Sequence, residues 1–230
     1  MKIKSHIPNI ITLFNLLSGV IGIIWVLNGN ILSGAYFIII AAIFDFFDGF
    51  AARLLHVQGE LGKQLDSLAD LVTFGVLPGM ILFQMAKVDT DIEWLPYLTL
   101  IVPLLSALRL AKFNLDTRQS DKFIGLPTPA NALFISTLPF FAIQWPHVGA
   151  LVSSPFFLIA IAWIFAILLL VEVPLIALKF KSYSLGANKF RYALIAIGLL
   201  LILLFGLAGI PIVTLAYLGL SVVENVLSPE

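Results

Sequence analysis

The sequence predicts an all-α fold, a polytopic helical membrane protein with about eight spans and both termini in the cytoplasm. Three observations predict it. Of the 230 residues, 60% are hydrophobic and 11% charged, and the mean hydropathy is +1.07, whereas a soluble domain carries roughly 25% charged residues. Apolar runs long enough to cross a bilayer recur from one end of the chain to the other. Nearly all the basic residues fall on one side of the membrane once those runs are drawn as helices. Zero net charge argues against nucleic acid as a partner, and the absence of cysteine excludes disulfides, thiolate metal sites and cysteine nucleophiles.

A hydrocarbon core about 30 Å thick takes roughly 20 apolar residues per helix. Such runs fall at 8–27, 31–53, 63–86, 94–113, 129–147, 153–178, 191–208 and 210–227. No small-residue cleavage site follows the first, so it is read as a retained span. The fourth ends on Arg109 and Lys112, and the fifth is entered through the rigid turn Gly125-Leu126-Pro127-Thr128-Pro129, since proline suits a first helical turn. The last two runs are short, with Gly209-Ile210-Pro211 as a hairpin between them; six spans result if that pair is one irregular element. Lys2, Lys4, Arg53, Lys63, Arg109, Lys112, Arg118, Lys122, Lys179, Lys181, Lys189 and Arg191 then lie inside, and Lys87 alone outside. With no internal repeat and no long linker, residues 1–230 read as a single domain.

One stretch does not read like lipid: DFFDGFAARLLHVQGELGKQLDSLAD, residues 45–70. Asp45 lies near the cytoplasmic end of the second span, and the third span returns from that face with Asp66 and Asp70 in its first turns. Spacings of three and four put Asp45, Asp48 and Ala52 on one side of the second helix, and Gly62, Asp66 and Asp70 on one stripe of the third. Four carboxylates facing one another repel, and a shared cation is the cheaper arrangement. Ligands that are all oxygen, with neither cysteine nor histidine, select hard ions such as Mg²⁺ or Mn²⁺. Four carboxylates can hold two such ions, which suits displacement at phosphorus. Gly49 and Ala52 leave room for a flat base or serve helix packing, and Arg53 can reach a phosphate. His6, His56 and His147 lie too far apart to form a ligand set. A cation or proton transporter would spread polar residues across the bilayer, whereas these aspartates crowd one end.

The pattern Asp45-x2-Asp48-Gly49-x2-Ala52-Arg53-x8-Gly62-x3-Asp66-x3-Asp70 resembles the complete signature of the CDP-alcohol phosphotransferase family. The resemblance implies transfer of a phosphatidyl group from a CDP-linked lipid to an alcohol, with release of CMP and dependence on two divalent cations. It also implies roles. Asp45, Asp48 and Asp66 are metal ligands, Asp70 is a metal ligand or the general base, and Gly49 and Ala52 contact the cytidine. Arg53 and Gly62 match the remaining signature positions and are read physically as a phosphate contact and a close helix approach; with Asp48 and Thr12 they complete the candidate CDP-lipid site. Asp70, a turn deeper than Asp66, is the carboxylate chosen here to take the acceptor's proton.

Three further stretches, DLVTFGVLPG (70–79), ALRLAKFNL (107–115) and FIGLPTPA (123–130), resemble the phosphatidylserine synthase branch. That branch uses CDP-diacylglycerol and L-serine; glycerol-3-phosphate or inositol phosphate is the alternative acceptor. The branch's second basic position is arginine, and this chain has Lys112, which keeps the charge and loses the bidentate fork. Arg109, Lys112, Phe113 and Asn114 are the acceptor-binding candidates, the two cations serving either to hold a carboxylate or phosphate or to anchor the helix at the interface. Thr12, Asn15 and Gly19 form a polar stripe on the first span, for interhelix hydrogen bonding or substrate contact. The resemblance implies a homodimer; the basic-residue asymmetry and the span lengths put the active site at the cytoplasmic face, with the inner membrane of a prokaryote as the expected location.

Overall fold

The computed structural model describes residues 6–57, 59–115, 123–176, 184, 186 and 188–227. Among the topology-marking basic residues, Lys2, Lys4, Arg118, Lys122, Lys179 and Lys181 lie outside these described residues. Helices α1 (His6–Leu27) and α2 (Ser33–Leu54) form an antiparallel hairpin. Its turn runs through Gly29, whose φ of 91° is a conformation that a Cβ would strain. α3 (Glu60–Asp70) passes through a π turn (Leu71–Val76) into α4 (Leu77–Val88), making one run of 29 residues. This run carries the centre of the apolar core: Phe74, Leu77, Ile81 and Leu82 are fully buried, packed with Ile38 of α2.

A 3-10 turn (Leu95–Leu100) leads into α5 (Ile101–Leu115). Then come α6 (Thr128–Gln144), the short α7 (Pro146–Val152) and α8 (Pro155–Leu168), with α7 and α8 bent by 71°. α9 (Lys189–Phe205), a 3-10 turn (Gly206–Gly209) and α10 (Ile210–Leu227) close the chain. Gly206, at φ 57°, breaks that last run within a few residues of the expected hairpin at 209–211.

Two boundaries correct the sequence reading. The run 129–147 ends as a helix at Gln144, because Pro146 starts a separate turn. The run 153–178 is helical only to Leu168, although apart from Glu172 it stays apolar beyond. Backbone carbonyls from that point on serve another segment: that of Leu168 accepts from Leu126 N–H and that of Val173 from Gly125 N–H. Strands β1 (Phe123–Ile124) and β2 (Pro174–Leu175) extend the seam as a two-residue antiparallel ladder, a small staple that an all-α reading omits. By length and apolarity, five of the described helical runs can cross a bilayer, or six if the bent α7–α8 pair is one span. That tally joins α9 and α10 into one run and leaves out the 17-residue α6.

Candidate functional site

The α1–α2 hairpin and the start of α3 meet at one end of the bundle. α2 presents Asp45 and Asp48 there, and α3 presents Asp66 and Asp70. One carboxylate oxygen from each of Asp45, Asp48 and Asp66 lies within 4.8 Å of the other two. Asp48 is 6% exposed, and Asp66 Oδ1 is buried without a hydrogen-bond partner. A buried carboxylate oxygen with no donor, beside two further carboxylates, fits a hard divalent cation at this point.

α1 supplies the donors that orient the carboxylates. Thr12 Oγ1 donates to Asp48 Oδ2 at 2.6 Å, and Asn15 Nδ2 donates to Asp70 Oδ1 at 3.3 Å. Thr73, in the π turn beyond Asp70, donates to the Asn15 carbonyl at 3.2 Å. Gly19 permits this close approach, since a Cβ there would collide with the Thr73 hydroxyl. The polar stripe Thr12–Asn15–Gly19 is therefore an interhelix device directed at the aspartates. Asp70 stands outside the group of three carboxylates, one turn deeper, with Asn15 as its partner.

Thr12, Asp48, Gly49, Ala52, Arg53 and Gly62, the six residues expected to hold a CDP-lipid, all line one cavity of about 470 Å³, together with Asp66. A Cβ built on Gly49 would meet nothing nearer than Arg53 Nη2 at 4.0 Å, so the glycine leaves open space on that side. Asn9, Glu60 and Lys63 also line the cavity. Lys63 enters the sequence expectations only as a topology marker, and Asn9 and Glu60 do not enter them; the signal for all three is proximity to Thr12 and Gly62 along the helices.

The four acceptor candidates separate. Arg109 is 8% exposed, its Nε donates to the Leu126 carbonyl at 2.8 Å, and its guanidinium lies 5.5 Å from the Phe113 ring centroid. Asp70 and Tyr217 are near enough to act on it electrostatically. Lys112 and Phe113 are exposed. Asn114 is engaged with α3: its Nδ2 donates to Ser67 Oγ, and its carbonyl accepts from Lys63 Nζ, both at 2.8 Å. None of the four lines the 470 Å³ cavity. Among the described residues Arg109 is thus the one buried cation, and it is pinned to the loop expected as a rigid turn.

Residues 5–168 match the model of a protein family described as CDP-alcohol phosphatidyltransferase. A CDP-diacylglycerol–serine O-phosphatidyltransferase of Bacillus subtilis is 38% identical over 140 residues, which are 59% of this chain and 76% of that protein. An archaetidylserine synthase of Methanothermobacter thermautotrophicus is 32% identical over 142 residues, 59% of each chain. A CDP-diacylglycerol–serine O-phosphatidyltransferase of Mycobacterium leprae is 33% identical over 136 residues, covering 56% of this chain and 45% of that one. The matched stretch thus spans about half the length of the last two relatives. Both carboxylate pairs and the cavity lie within the family match, whereas α9 and α10 lie beyond it.

Proposed function

The chain belongs to the CDP-alcohol phosphatidyltransferase family, and on that premise we propose that it transfers the phosphatidyl group of CDP-diacylglycerol to L-serine, giving phosphatidylserine and CMP. The observation that carries this reading is the group of three carboxylates within 4.8 Å at a cavity lined by the six expected CDP-lipid residues. Gly49 and Ala52 leave space for the cytosine ring, and Arg53 meets phosphate oxygens. Asp45, Asp48 and Asp66, with Asp70 at the edge, would hold two divalent cations, Mg²⁺ or Mn²⁺. When bound, these neutralise the diphosphate and steady the departing CMP.

On the far side, Asp70 accepts the proton of the acceptor hydroxyl as its oxygen bonds to phosphorus and the link to CMP breaks. A positioned carboxylate of this kind contributes roughly 10²–10⁴-fold. Asn15 orients Asp70 for that task. Arg109, stacked against Phe113, takes the serine carboxylate through its fork, and Lys112 adds positive charge at the same end of α5. Serine as acceptor draws support from relatives whose own names specify it.

The reading also includes eight spans, with α6 counted and α9 separated from α10, and residues 1–230 as one domain. Arg53, Lys63, Arg109 and Lys112 cluster at the site's end of the bundle, which supports a cytoplasmic site with both termini inside. A homodimer in a prokaryotic inner membrane completes it. The test is CMP release by the detergent-purified full chain from CDP-diacylglycerol, with serine, glycerol-3-phosphate or inositol phosphate in turn, and with chelator or added Mn²⁺. No release with serine removes the favoured acceptor, and release undiminished by exhaustive chelation removes the metal-dependent mechanism.

A further inference from the structure

The cavity changes character from its buried lining to its exposed lining. Asp48 is buried, whereas Arg53, Glu60 and Lys63 are exposed. A diphosphate entering this space meets carboxylates, so it needs cationic partners from the protein as well as from bound ions. Arg53 is one. Lys63 lies three residues before Asp66 on α3, within the same lining.

A closed circuit of three hydrogen bonds holds Lys63 in place. Its Nζ donates to the backbone carbonyl of Asn114 at 2.8 Å. The side-chain Nδ2 of Asn114 donates to Ser67 Oγ at 2.8 Å, and the Ser67 hydroxyl donates to the Lys63 carbonyl at 3.2 Å. The circuit ties the beginning of α3 to the end of α5. Among the described residues, no carboxylate forms an ion pair with Lys63. A neutral carbonyl leaves the ammonium charge uncompensated, and it occupies one of three N–H donors. The remaining donors are available to a ligand, on a lysine that lines the cavity and whose stem is fixed by the circuit.

We propose that Lys63 is a phosphate-binding residue of this cavity, that its ligand is the diphosphate of a nucleotide-linked lipid, and that Asn114 is the positioning residue that holds it there. The proposal rests on the CDP-lipid reading above and adds to it a residue that the signature pattern does not contain. It also gives Asn114 a different task from acceptor binding: the side chain reaches α3, not the neighbourhood of Arg109.

The experiment is equilibrium binding of CDP and of cytidine, the latter by competition, to the detergent-purified full chain in Mn²⁺. Wild type is compared with Lys63→Ala, Lys63→Arg and Asn114→Ala. Loss of a charge-assisted hydrogen bond weakens binding about tenfold. Lys63→Ala therefore weakens CDP by that factor and leaves cytidine, which has no phosphate, unchanged. Lys63→Arg keeps most of the CDP affinity. Asn114→Ala weakens CDP about threefold and raises the KM for the CDP-lipid without moving the KM for serine. Equal CDP affinity in wild type and Lys63→Ala overturns the assignment, as does a parallel loss for cytidine, the mark of a disturbed cavity. A raised serine KM in Asn114→Ala, with CDP-lipid KM unmoved, overturns the positioning role. Lys63-dependent CDP affinity in a protein that releases no CMP with serine upholds the phosphate site and removes only the acceptor.

Discussion

Replacing Thr12 by valine removes one hydroxyl and keeps the branched shape of the side chain. That hydroxyl donates to Asp48 Oδ2 at 2.6 Å, and Asp48 is 6% exposed, so water does not readily take its place. A hydrogen bond to a charged acceptor contributes about 1.5–3 kcal/mol, and at about 1.4 kcal/mol per factor of ten its loss corresponds to roughly ten- to a hundredfold. Loss of a donor that orients a ligating carboxylate weakens ion affinity by the same roughly 10–100-fold. The expected result is a Mn²⁺ activation curve for CMP release shifted to higher ion concentration by that factor. The maximal rate recovers at saturating ion, because Asp48 itself remains. The assay is CMP release at saturating CDP-diacylglycerol across a Mn²⁺ series. An activation curve superimposable on wild type refutes the reasoning. If the curve stays put and the KM for CDP-diacylglycerol rises instead, Thr12 serves the lipid directly and not the carboxylate.

Asp70→Asn keeps the hydrogen bond from Asn15 within reach but cannot take a proton; turnover falls by about 10²–10⁴-fold while CDP binding, measured at equilibrium, stays near wild type. Gly49→Val places a branched side chain in space that is open beyond Arg53. It raises the KM for CDP-diacylglycerol with little change in thermal stability, and an unchanged KM would remove Gly49 from the nucleotide site. Arg109→Lys retains the charge and loses both the Nε bond to Leu126 and the planar fork. Its serine KM rises about tenfold, read from CMP release across a serine series, and a KM shift confined to CDP-diacylglycerol would place Arg109 on the wrong substrate.

Helical periodicity made most of the fold legible, because an apolar run of bilayer length has few alternatives to a helix. The limits lie where hydropathy is silent about backbone hydrogen bonds. Residues 169–176 are apolar apart from Glu172, yet the Val173 carbonyl and the Pro174–Leu175 ladder are partnered by the 123–125 segment. No local pattern announces a partner some fifty residues away in the chain. Pro146 and Pro174 were visible hints that continuous helices were too simple. The π turn at Leu71–Val76 was likewise hidden, although such turns are frequent at functional sites.

At the site, spacing alone placed the carboxylates on shared helix faces, and the cavity gathers all six residues assigned to the CDP-lipid. What spacing could not give was the partner of each aspartate. An i,i+4 step carries Asp70 about 6 Å along α3 from Asp66, whereas oxygens sharing one small divalent ion sit about 2.0–2.1 Å from it, and so within roughly 4 Å of one another. Asp45, Asp48 and Asp66 approach that condition; Asp70 does not join them. It receives an amide hydrogen from Asn15, whose own carbonyl is held by Thr73 from the π turn just beyond Asp70. α1 thus grips α3 and its continuation on both sides of the fourth carboxylate. This grip fixes the position of Asp70, which is near enough to Arg109 to act on it electrostatically; on the proposed mechanism the acceptor's hydroxyl and carboxylate meet these two groups. The regular motif of four aspartates therefore divides physically: three are close enough to share a cation, and one is set apart by a helical turn, a placement that supports the proposed reading of Asp70 as the base.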